Sequence, residues 1–127
     1  MGSVFLIPIR MSSSWQEAQD YLEEQGVGQI WAATMETETS SSSSDTASLP
    51  YYDVDWTQTG GSAVVIGAEG TGLSDTVRES LTDGDNSSVR AVHVPMCPGI
   101  ESLNAAVCGS VILFECFRQC QLTVKED

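Results

Sequence analysis

Positive charge is what this 127-residue sequence has least of. Five bases, Arg10, Arg78, Arg90, Arg118 and Lys125, stand against eighteen acids, for a formal net charge of −13. Non-specific affinity for nucleic acid comes largely from counterions released by clustered Lys and Arg, so the composition alone argues against a free-standing nucleic-acid-binding module. Affinity for RNA would have to come from segments outside this chain or from a partner subunit. No stretch approaches the roughly 18 apolar residues of a membrane-spanning helix, and no basic segment leads into an apolar one, so neither a membrane helix nor a secretory signal is legible. The four cysteines, Cys97, Cys108, Cys116 and Cys120, lack C-x-x-C spacing, and His93 is the single histidine that a metal site could recruit. Three of these cysteines share one face of a predicted helix, where small buried hydrophobes in a reducing compartment are the expected role and no metal is expected.

What is present fits one domain over 1–127, near the lower end of common domain sizes, with 41% hydrophobic residues. One segment departs from globular composition. From Glu36 to Pro50 the chain runs through Glu-Thr-Glu-Thr, five serines and Asp-Thr-Ala-Ser-Leu-Pro. It has almost nothing to bury against its ordering entropy, so a disordered Ser-rich loop is expected over 36–50.

Elsewhere the patterning alternates between strands and helices. Val4 to Ile9 is a short branched apolar run that predicts a strand with Pro8 at its end or on an edge. Ser14-Trp15-Gln16-Glu17 is a capping-box pattern opening a helix with Trp15, Ala18 and Leu22 on one face, and Gly26 is placed to end it. Gln29 to Thr34 predicts a second strand, so the region suggests a βαβ unit with parallel strands. Ala63 to Gly67 predicts a strand buried on both faces. Leu73 to Leu81 predicts a short helix, Asp83 to Ser88 a loop and Ala91 to Val94 a strand. Ser102 to Gln119 predicts a long helix, apolar enough from Leu103 to Phe117 to be buried over much of its circumference. The class is α/β with a mainly parallel sheet.

Two segments carry chemistry. Val65-Ile66-Gly67-Ala68-Glu69-Gly70-Thr71-Gly72-Leu73-Ser74 is a strand followed by three glycines and an acid. Such glycines let backbone approach a ligand at the carboxyl end of a parallel sheet, and equally they serve a tight turn that needs positive φ. A phosphate loop is excluded, because no Gly-Lys-Ser/Thr follows and Glu69 would repel a phosphate. The second segment, His93-Val94-Pro95-Met96-Cys97-Pro98-Gly99-Ile100-Glu101-Ser102-Leu103-Asn104-Ala105-Ala106-Val107, is more specific. Together the two resemble the closing motifs of the SpoU family of RNA ribose 2′-O-methyltransferases: a glycine-acid-glycine turn, a Pro-Met turn, then a Ser-Leu-Asn helix start. The resemblance extends forward through Gly2-Ser3-Val4-Phe5 and Pro8 to Ile30-Trp31-Ala32-Ala33-Thr34.

The resemblance implies a C-terminal trefoil knot, whose turns hold S-adenosylmethionine largely by backbone groups. Carried over by position, the cofactor residues are Thr34, Gly67, Glu69, Gly72, Val94, Met96 and Leu103, with Gly67 and Gly72 leaving room for the ligand. Methyl transfer to a ribose 2′-hydroxyl of tRNA or rRNA needs the hydroxyl proton removed as attack proceeds. The resemblance places Asn104 near that centre, supported by Ser102 and Glu69. Each has a plainer alternative: Ser102 caps the last helix, Asn104 satisfies buried backbone, and Glu69 accepts amides of its own turn. His93, inside a predicted strand, is expected to be structural.

The resemblance also implies an absence. The family's asparagine and arginine, on its first strand and helix, are assigned the activation of the hydroxyl; they have no counterpart here, and Arg10 does not match them. The sequence is therefore expected to lack the first strands of its domain and, alone, to be inactive and poorly folded. An enzyme completed by upstream residues and a non-catalytic remnant that binds the cofactor or pairs with a full-length relative both remain open. A homodimer is implied, an intracellular site is expected, and a plastid or mitochondrial address is not readable.

Overall fold

The computed structural model describes residues 7–34, 48–58, 60–68, 71–81, 89–97 and 104–125. Helix α1, Trp15–Glu24, begins where Ser14 leaves extended backbone and accepts a hydrogen bond from the Glu17 amide at 3.1 Å. The reciprocal half of the capping box is displaced by one residue: the Glu17 carboxylate accepts from the amide and hydroxyl of Ser13. Gly26, at φ 77°, ends the helix, as its position in the sequence predicts.

Among the described residues, strand β1, Gln29–Ala33, is one of the two inner strands of a four-stranded, all-parallel sheet. Its neighbours are β3, Ser62–Val65, and β4, Val89–His93; the short β2, Leu49–Pro50, lies beyond β4, giving the order β2-β4-β1-β3. Trp31 is in register with Val64 on one side and Arg90 on the other. Alternation along β1 divides the core. Ile30 and Ala32 pack with Val89, Leu73 and Val77, beneath Trp15 and Leu22 of α1 and the short helix α2, Asp75–Ser80. Trp31 faces the opposite side with Val92, Val54, Trp56 and Ile112, the last from α3, Ala105–Lys125. Helices on both faces of a parallel sheet are the α/β arrangement that the sequence predicts.

Several expectations are corrected. Ile7 to Ile9 form no strand, and Ile7 and Ile9 are 60% and 62% exposed; Pro8 offers no N–H to a ladder, while Val4 to Leu6 lie outside the described residues. Leu49 and Pro50, assigned to the Ser-rich loop, form an edge strand, a position where a missing N–H is tolerated; positions 36–47 lie outside the described residues. Strand β3 is half-buried rather than buried on both faces, because it has one sheet neighbour among the described residues. Among the α3 residues whose burial is described, Ile112 and Glu115 are buried, whereas Leu113, Phe114 and Phe117 are 64%, 74% and 61% exposed. A helix lying on one sheet face buries one stripe, whatever its total apolar content. The Asp83 to Ser88 loop, and residues 98–103 of the expected knot, lie outside the described residues.

Candidate functional site

Parallel strands end on a common edge, the usual binding edge of such a sheet. Here β4, β1 and β3 are adjacent, so the segments leaving them emerge side by side: Val94 to Cys97, Thr34, and Ile66 to Ala68. The Thr34 amide donates to the Val92 carbonyl at 2.8 Å, extending the β1–β4 ladder one residue beyond Ala33. After β3 the chain folds back on itself. Ala68 N–H donates to Gly72 O at 3.0 Å and Gly72 N–H to Ala68 O at 2.8 Å. Gly72 has φ 69°, buried Leu73 anchors the exit, and Ser74 caps α2 by accepting from the Val77 amide.

This geometry changes the reason for the glycines. A side chain at Gly67 would collide with the backbone of Gly72 and Leu73, while Gly72 is required by its left-handed φ. Both serve the turn itself, one of the two roles that the sequence left open for them, the other being room for a ligand. Val94 packs against the α3-side core, Met96 is half-buried, and Pro95 and Cys97 are exposed. Glu69, Ser102 and Leu103 lie outside the described residues.

Asn104 is the cap of α3. Its Oδ1 accepts from the amides of Ala106 at 2.9 Å and Val107 at 3.4 Å, and its carbonyl accepts from Cys108 N–H. The cap role assigned to Ser102 as its plainer alternative is thus filled by Asn104. With Oδ1 engaged, the side chain can address a substrate only through its Nδ2 donors. The first turns of α3 reach the same edge: a carbon added at Gly109 would sit 3.8 Å from Ile66.

His93 is buried, with Nδ1 2.8 Å from Ser48 Oγ, and Thr34 Oγ1 donates to the same Ser48 oxygen at 3.3 Å. The histidine of β4 is thus buried and hydrogen-bonded, the environment expected of a structural residue. Ser48 was not singled out, since a serine closing a serine-rich tract carries no distinguishing signal. On α3, Cys108 and Cys116 flank the core, and burial pushes both thiols up; Cys120, expected on the same buried face, is exposed, as is Cys97. Further along α3, Gln119 accepts from the Trp56 amide and donates to the Val54 carbonyl and to Glu115, which Arg118 also grips. A groove of about 510 Å³, lined by Tyr51, Val107, Val111, Phe114 and Arg118 among others, runs along the exposed side of α3 rather than at the strand edge.

Comparison with known proteins supplies what the geometry does not. A family model described as the SpoU rRNA methylase family matches residues 1–114. The human mitochondrial rRNA methyltransferase 3 is 34% identical over 105 residues, covering 83% of this chain and 21% of that protein. The 23S rRNA (guanosine-2′-O-)-methyltransferase RlmB of Vibrio vulnificus is 29% identical over 119 residues, covering 93% of this chain and 40% of that protein. The crystal structure of the SpoU methyltransferase AviRb from Streptomyces viridochromogenes, in complex with AdoMet, superposes with a TM-score of 0.69 at 28% identity, over 93% of this chain and 41% of that one. The chain spans about a fifth, or less, of the length of the mitochondrial relatives it matches.

Proposed function

The chain belongs to the SpoU rRNA methylase family, and from that premise we propose that it forms the cofactor-binding part of an S-adenosylmethionine-dependent enzyme that methylates a ribose 2′-hydroxyl of rRNA. The observation that carries the reading is that the parallel strands β4, β1 and β3 end side by side on one sheet edge. The fit is chemical as well as topological. An adenosine can be read by amides and carbonyls alone, and the residues Ala68, Thr71, Gly72, Pro95 and Cys97 along this edge are exposed. The names of the relatives and the AdoMet-bound neighbour support the same assignment.

The bound cofactor supplies an electrophilic methyl group on a sulfonium. Transfer of that methyl group would leave the cofactor as a neutral thioether and would require a general base to take the proton of the 2′-hydroxyl. Thr34, Gly67, Gly72, Val94 and Met96 hold the turns in place around the ligand, with Glu69 and Leu103 completing them. Asn104 keeps Oδ1 on the backbone and orients the ribose or a catalytic neighbour through Nδ2, with Ser102 and Glu69 in support. A second reading, a module that binds the cofactor without turnover, is favoured by one feature: the net charge of −13 gives these residues no RNA-holding surface of their own.

The partners follow from surface chemistry. With a net charge of −13, RNA is held by other segments or another subunit. The exposed apolar side of α3, with Leu113, Phe114 and Phe117, is suited to a second copy of the chain. The mitochondrial relatives support a mitochondrial compartment. Calorimetry with S-adenosylmethionine, then methyl transfer to unmodified rRNA by the protein carrying this chain, tests the proposal. Binding with transfer is the expected result, binding without transfer selects the second reading, and no binding by a folded protein overturns both.

A further inference from the structure

Three polar side chains from three parts of the sequence meet at the candidate edge. Thr34 follows β1, His93 ends β4, and Ser48 precedes β2, which flanks β4 on the side away from β1. Ser48 Oγ lies 3.3 Å from Thr34 Oγ1 and 2.8 Å from His93 Nδ1. Ser48 Oγ, with one proton and two lone pairs, can serve both neighbours at once, accepting from Thr34 and pairing with whichever form of Nδ1 the imidazole presents. By the alternation of β1 and β4, Thr34 and His93 fall on the sheet face of Ile30, Ala32 and Val89, away from α3. Asn104 and the α3 cap are thus on the opposite side, and the proposed transfer chemistry gives no part to Ser48 or His93.

We infer that Ser48 is a positioning residue for cofactor binding: its hydroxyl fixes the end of β1 against the end of β4, and so sets the spacing of the turns that leave at Thr34 and Val94. This rests on the reading of that edge as the cofactor site. Backbone recognition makes spacing the decisive variable, because amides and carbonyls fixed to a strand end cannot re-aim as side chains can. Two features mark the bond as more than a local turn. It joins elements 45 positions apart in sequence, and it is made by a buried histidine whose neighbouring residue, Val94, begins one of the turns. The ladder holds β1 to β4 only as far as Thr34 N–H; beyond it, the side-chain bridge through Ser48 is the described link between the two exits.

The test uses the full protein and compares Ser48→Ala, Ser48→Thr and, as a control, Ser14→Ala, which removes the cap of α1 and touches no turn of the edge. Losing one net hydrogen bond corresponds to about a three- to tenfold change in an equilibrium constant. Ser48→Ala is expected to weaken the S-adenosylmethionine Kd and KM by about that factor, with kcat at saturating cofactor changed by less than about twofold. Ser48→Thr, which keeps the hydroxyl, restores both constants, and Ser14→Ala lowers the melting temperature without moving them. If Ser48→Ala does not fold, Ser48→Cys, which replaces the hydroxyl by a thiol that is only a weak donor and acceptor, carries the test with the same expected shift. Unchanged cofactor constants in the folded variant, or constants that simply follow melting temperature in the control as well, overturn the inference. A wild-type protein that binds no cofactor overturns the functional reading and this inference with it.

Discussion

The backbone of Gly72 and Leu73 occupies the space that a side chain at Gly67 would need: a carbon added there would lie 2.5 Å from the Leu73 nitrogen and 2.8 Å from the Gly72 oxygen. Backbone cannot swing aside as a side chain can, so Gly67→Ala must open the turn. Overpacking of this kind costs about 1–3 kcal/mol. The expected result is a lowered melting temperature together with loss of cofactor binding, read by thermal unfolding and calorimetry.

Gly72→Ala should be milder in stability. Its added carbon meets only the Arg78 guanidinium, at 3.2 Å, and the cost is that of a left-handed φ, about 1–2 kcal/mol. Gly72→Val adds a branched side chain at an exposed position of the edge, and is expected to abolish S-adenosylmethionine binding with circular dichroism unchanged. Binding retained by a folded Gly72→Val variant would remove this turn from the site.

Asn104 separates cap from chemistry. Asn104→Ala removes the acceptor for Ala106 and Val107, and should cost about 1 kcal/mol of stability as well as turnover. Asn104→Asp keeps the acceptor and loses the amide donors, so its melting temperature should hold while turnover falls as in the alanine variant. If Asn104→Asp retains full turnover, the residue is a cap and nothing more.

Acid should weaken the clamp on α3. Hydrogen bonds from Arg118 first and Gln119 second hold the Glu115 carboxyl down at about 2, against an ordinary 4.5. A carboxyl depressed in the folded state stabilises above its unfolded pKa, and that contribution is lost as pH falls from about 4.5 through about 2. Between pH 5 and pH 2 the melting temperature of wild type should therefore fall more than that of Glu115→Gln. Parallel curves would mean that the ion pair adds no stability.

The exposed side of α3 predicts assembly. Sedimentation of the full protein should report a dimer, and Phe114→Glu, at a residue 74% exposed, should yield a folded monomer. A wild type that sediments as a monomer at all concentrations would assign that face another occupant.

The fold was legible wherever one residue's chemistry dictated one structure. Ser14 and Gly26 bracketed α1, and the branched run at Ala63 to Val65 had no alternative to a strand. Failures arose where composition stood in for geometry. Leu113, Phe114 and Phe117 are apolar, but apolarity does not say which helix face meets the sheet. Leu49-Pro50 looked like the tail of a polar tract, because two residues carry no period. At the site, the motifs located the turns, yet Gly67 owes its identity to a backbone approach visible only in three dimensions. Ser48 acquires its partners through parallel pairing across two crossovers, which no local window contains.

The bridge between Thr34 and Ser48 has a consequence for how this protein can change. Its two ends are held at 3.3 Å by their own side chains and by separate strands, so the sheet does not depend on what joins them. Closing a longer connection costs only about 0.6 kcal/mol per doubling of its length. A peptide inserted into the chain between Thr34 and Ser48 is therefore expected to leave the melting temperature nearly unchanged.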